Sequence, residues 1–125
     1  MLPQSLAQAA YTTERAPIRT DRGTEYELFA RVTHRMRAAA AKGKPGFVAL
    51  AEAIQQNHEL WTLLASDVAG PDNALPRELR ARIFYLAEFT QAHSRKILND
   101  GASIAPLVEI NAAMMRGLRG NGAAS

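Results

Sequence analysis

Turn-forming residues cut this chain into pieces of helical length. The breaks fall at Pro17, Gly23, Gly43-Lys44-Pro45-Gly46, Gly70-Pro71-Asp72-Asn73, Asn99-Asp100-Gly101 and the glycines from Gly117 to Gly122. Between them apolar residues recur at helical spacing, and no piece alternates as a strand would. The chain is rich in alanine, leucine and arginine and only 6% aromatic, which favours helix over sheet on propensity. The expected fold is therefore all-α, a compact antiparallel bundle of four main helices plus a short N-terminal helix or arm. A length of 125 residues fits one helical domain. Its parts would be an N-terminal helix or arm over 1–23, a helical core over 24–119 and a flexible tail over 120–125.

Each segment carries its own signals. Residues 2–13 form a short alanine-rich stretch, with Leu6 and Ala10 on one face, and Pro17 stops it. The next helix opens at Thr24 as N-cap, with Glu25 and Glu27 where the helix dipole favours acids. Leu28, Val32, Met36 and Ala39 form its row, flanked by Phe29 and Thr33. A helix over about 46–69 follows, with Phe47, Leu50, Ala51, Ile54, Trp61, Leu64, Ala65 and Val68 in register. That row passes through Asn57 and His58. The fourth segment has Pro76 near its start and a stripe of Leu79, Ile83, Leu86, Thr90, His93 and Ile97. Phe84, Ala87, Phe89 and Leu98 widen the stripe, which implies neighbours on two sides. The last segment has Ser103 as N-cap and one face of Ile104, Leu107, Val108, Asn111, Met114, Met115 and Leu118, with Gly117 and Gly120 marking its end.

Composition narrows the function. The net charge of +3 is dispersed, each segment netting no more than one charge of either sign, whereas nucleic-acid binders cluster their cations. The absence of cysteine removes disulfides and thiolate metal sites. The N-terminus has neither the basic start nor the apolar run of a signal peptide, and no stretch is long and apolar enough to span a membrane. The expected location is the cytoplasm, with no membrane insertion.

Searches for chemistry fail one by one. His34, His58 and His93 lie on different segments, and His58-Glu59 lacks a second histidine because position 62 is Thr62. No nucleophile turn and no phosphate-binding loop is present. The expectation is no catalytic residue, no cofactor, no metal and no enzyme activity.

Five residues remain as candidates for meeting a partner: Trp61, Asn111, Met114, Met115 and Leu118. Methionine adapts to varied apolar partners, yet the same side chains also suit a core. Asn57 and Asn111 sit on apolar stripes, where a buried amide must be bonded. Either each bonds across the core and fixes helix register, or one lines a groove and bonds a ligand backbone. His58 and His93 read as histidines at the core edge, each with a hydrogen-bond partner.

Four stretches carry a family resemblance. Thr24-Glu25-Tyr26-Glu27-Leu28-Phe29 through Val32-Thr33 is similar to the TEYxLFxxVT stretch of FlaF proteins. Asn57, Leu60, Trp61, Leu64 and Asp67 resemble that family's NxxLWxxLxxD pattern. Asn73, Leu75-Pro76, Leu79-Arg80-Ala81 and Ile83 resemble its NxLPxxLRAxI. Leu107, Glu109-Ile110-Asn111 and Met115, Gly117-Leu118 resemble its LxEIN followed by MxGL. The resemblance spans about residues 9–120, and four stretches in the right order make it specific. It implies a cytoplasmic protein of flagellum biogenesis that binds flagellin as a chaperone and promotes its regulated synthesis and secretion. It also implies action in concert with FlbT, a translation regulator. The competing expectation, from the arginine excess and the link to translation, is an RNA-binding post-transcriptional regulator of flagellin messenger RNA.

Overall fold

The computed structural model describes residues 22–124, so the expected N-terminal helix or arm lies outside the described residues. Four α-helices follow one another: α1 (Arg22–Ala41), α2 (Phe47–Ala69), α3 (Arg77–Asp100) and α4 (Ala105–Ala124), with a 3-10 turn, Lys44–Gly46, before α2. No strand occurs among the described residues. The connections are short, so successive helices run antiparallel. α1 packs against both α2 and α4, and α2 packs against α3, while α3 and α4 touch only lightly.

α1, from Arg22, takes in Gly23 and Thr24. Thr24 is therefore inside the helix and not its N-cap. One glycine in a first turn costs about 1 kcal/mol, which the alanine-rich remainder tolerates. The face turned inward is Phe29, Val32, Met36 and Ala39, with Thr33 beside them. Phe29, read as a flank of the row, is its most buried aromatic because it meets Trp61 edge-on, ring centroids 5.6 Å apart.

The corner between α1 and α2 is tight. Gly43 adopts φ 66°, a left-handed conformation that suits glycine. The Gly46 amide then donates to the Gly43 carbonyl at 2.9 Å. Gly46 is buried, and a Cβ there would collide with the Ala39 carbonyl oxygen and lie 2.8 Å from Lys42 Cβ. Gly46→Ala is therefore expected to destabilise the bundle by about 1–3 kcal/mol, the usual cost of overpacking, read as a lower guanidinium midpoint at unchanged slope.

α2 buries Ala53, Ile54, Asn57, Leu60, Trp61 and Val68. Phe47, placed on this row by its spacing, is 49% exposed, because the helix starts at the end of the bundle where nothing faces it. The turn after α2 is shaped by Asn73, whose Oδ1 accepts from the Leu75 amide at 3.0 Å. Pro76, with φ −57° and ψ 150°, feeds the chain into α3.

α3 contributes a narrow face of Ile83, Thr90, Ser94 and Ile97. Its width was expected to mean two neighbours, but α3 lies along α2 and barely meets α4. Leu79 and Phe84, both read as part of the stripe, stay on the surface. The helix closes at Gly101, φ 73°, where the Gly101 amide bonds the Ile97 carbonyl and the Ala102 amide that of Lys96. Ser103, read as the N-cap of α4, lies one position before it: the Val108 amide opens the helix by bonding the Ile104 carbonyl, and Ser103 Oγ accepts from the Ala105 amide at 3.0 Å. α4 runs past Gly117 and Gly120 to Ala124, beyond the end read from those glycines. Isolated glycines weaken a helix without obliging it to stop.

Candidate partner-binding site

The centre of the bundle is polar. Asn111, in the middle of α4, has no exposed surface, and neither has Asn57 on α2. The Asn111 Nδ2 group donates to Asn57 Oδ1 at 2.8 Å and to Thr33 Oγ1 at 3.0 Å. Its Oδ1 accepts from Trp61 Nε1 at 2.9 Å. One amide thus ties α4 to α1 and α2 through three hydrogen bonds. Buried bonds of this kind contribute roughly 1 kcal/mol each when made and cost more when one partner is lost. They also fix how far α4 can slide, since a shift of one residue would break all three.

The two readings of the asparagines are thereby separated: they bond across the core to each other. The five candidate residues fall into two groups. Trp61, 1% exposed, and Asn111 are sealed inside and hold α4 in place. Met114, Met115 and Leu118 are half-buried, packed on the core from the C-terminal half of α4. On the neighbouring α3, Leu79 and Phe84 are about two-fifths exposed and Tyr85 two-thirds exposed. These residues lie towards the N-terminus of α3, the end of the bundle that the C-terminal half of α4 also occupies. Because α3 and α4 are lightly packed, the seam between them is the open side of the bundle. Sequence reasoning assigned Leu79 and Phe84 to the core, but Leu79 sits in the first turn of α3, where the stripe outruns its neighbours, and Phe84 lies about 100° round the helix from the buried Ile83.

Histidines are peripheral. His93 Nε2 donates to the Ser103 carbonyl at 2.8 Å and its ring stacks on Phe89. His58 is half-buried without a bond to any described residue, against expectation. Among the described residues no three histidine, aspartate or glutamate side chains are grouped as a metal site would need. Among them, too, no helix is long and apolar enough to cross a membrane.

The fold is that of a four-helix bundle whose polar centre is structural and whose α3–α4 side is loosely closed. The sequence matches the family of the flagellar protein FlaF over residues 7–118. The chain belongs to the FlaF family of flagellar proteins. No curated protein matches it. No solved structure matches it either.

Proposed function

We propose that this chain binds flagellin in the cytoplasm as a chaperone, and that it promotes the regulated synthesis and secretion of flagellin in concert with FlbT. The observation that carries this reading is membership of the FlaF family over residues 7–118. The geometry supplies a means. An amphipathic helix of another chain can lay its apolar face along a groove. The α3–α4 seam offers Leu79 and Leu86, two turns apart on one face of α3, and Met114, Met115 and Leu118 on the other helix. Methionine repacks easily around such a guest. Trp61 and Asn111 act from inside by holding α4 in the register that presents those methionines.

Titration of the purified protein with flagellin, followed by calorimetry, tests the reading. A complex at micromolar concentration is expected, and Leu79→Glu should weaken it at least about tenfold, since burying an unpaired carboxylate costs more than about 1.4 kcal/mol. Helical circular dichroism should be unchanged, because Leu79 is 40% exposed. A folded protein that forms no complex with flagellin would sink direct binding. Salt-dependent binding to the flagellin messenger leader in its place would favour the RNA reading.

A further inference from the structure

The charges that are dispersed along the sequence are segregated in space. The up-and-down path brings the end of α1, the start of α2, the end of α3 and the start of α4 to one end of the bundle. That end carries Arg37, Lys42, Lys44, Arg95 and Lys96, all exposed. Among the described residues none of the five is held in an ion pair. The carboxylates near them are Glu52, Asp100 and Glu109, which leaves the end with a net positive charge. The helix dipoles add nothing to this field, since the C-termini of α1 and α3 meet the N-termini of α2 and α4 there, and the side-chain charges carry it. At the opposite end Glu27, Asp67, Asp72 and Glu78 offset the arginines of α3.

The same basic end displays two apolar side chains. Phe47 is 49% and Val48 69% exposed, both in the first turn of α2. The corner before them is fixed by the left-handed Gly43 and by Gly46, which has no room for a side chain. Phe47 and Val48 are therefore held out on a rigid turn beside Lys42 and Lys44. Rigid presentation lowers the ordering cost of binding.

We infer that this basic corner is a second docking surface, separate from the α3–α4 seam, for an acidic protein segment that carries an apolar side chain among its carboxylates. The apolar residue of the guest packs on Phe47 and Val48, and its carboxylates meet the surrounding lysines and arginines. One feature favours a peptide over a polyanion. Glu52, Asp100 and Glu109 interrupt the positive field, which a continuous phosphate strand or an anionic membrane plane cannot avoid. A peptide can place a neutral residue opposite each.

The test uses the full chain and a short synthetic peptide alternating glutamate and aspartate with leucine and phenylalanine, labelled for fluorescence anisotropy. Comparators are the same peptide with its acids replaced by amides, an oligouridylate of equal length, and vesicles containing phosphatidylglycerol. The acidic peptide should bind best, and more weakly as salt rises. The double variant Lys42→Glu/Lys44→Glu should lower its affinity about tenfold or more. Val48→Ser should lower it about five- to tenfold through lost apolar contact. Leu79→Glu, on the seam, should leave it unchanged, which separates this surface from the flagellin-binding reading. Helical circular dichroism and Trp61 emission confirm that each variant is folded. Equal binding by the charge-reversed variant, no binding of the acidic peptide, or tighter binding of the oligouridylate or the vesicles overturns the proposal.

Discussion

Replacing Asn111 with leucine is expected to lower the stability of the bundle by about 2–4 kcal/mol, although leucine is the residue a helix stripe would ordinarily carry there. Leucine is close to asparagine in shape and gains apolar burial. Among the described residues it also leaves the Trp61 indole N–H without an acceptor and Asn57 Oδ1 without a donor. The Nδ2 group of Asn57 already lacks a described partner, so the whole amide would be buried unbonded. Each abandoned polar group costs about 1–3 kcal/mol, more than the leucine returns. A total stability of about 5–15 kcal/mol makes this a large fraction. Guanidinium unfolding followed by Trp61 emission and by far-ultraviolet circular dichroism measures it. A midpoint equal to that of the parent would show that the polar centre contributes nothing to stability. A second signature is expected in the near ultraviolet. Without three directional bonds, α4 can settle in more than one register, and the Trp61 signal should weaken before helicity falls.

The residues that carry the family resemblance meet at this one place. Thr33 comes from the TEYxLFxxVT stretch, Asn57 and Trp61 from NxxLWxxLxxD, and Asn111 from LxEIN. Asn73, from the remaining stretch, shapes the turn that enters α3. The positions that look most like a functional signature are thus largely those that specify how the helices fit. That explains why Trp61 and Asn111 stood out as candidate contact residues yet are inaccessible. Their influence on a partner would pass through the position of α4.

Periodicity made the helices legible, and with them most of the buried faces of α2 and α4. It could not show what lies opposite. Trp61 and Asn111 are fifty residues apart, and only packing reveals that they bond. Thr33 looked like a flank because its partner belongs to the last helix. Phe47 and Leu79 follow their stripes correctly, but each sits in the first turn of its helix, where the stripe outruns its neighbours. Charge behaved in the same way. Segment by segment the sequence is nearly neutral, and only the antiparallel path gathers the ends of α1 and α3 into one basic face. The light packing of α3 on α4 has no sequence signal, since a wide apolar stripe looks the same whether a helix or a partner covers it.

Truncating Trp61 to alanine should have the largest effect of any single change in the chain. The ring is 1% exposed, packs edge-on against Phe29 and bonds Asn111. Losing a buried aromatic of this size costs about 3–5 kcal/mol through transfer and cavity terms. The stranded Asn111 Oδ1 adds about 1–3 kcal/mol. A loss of this order approaches the whole stability of a small domain, so the variant is expected to melt well below the parent, or to lose its cooperative transition, by circular dichroism. Trp61→Phe separates the two contributions. It keeps a ring to pack near Phe29 but removes the N–H, and should cost about 1–3 kcal/mol. Combining Trp61→Phe with Asn111→Leu closes a double-mutant cycle across the bond. Because each single change abandons a partner that the other also removes, the double variant should be more stable than the two losses added together, by about 0.5–3 kcal/mol. Strict additivity would mean that the indole and the amide act independently, and that α4 is held by its apolar face alone.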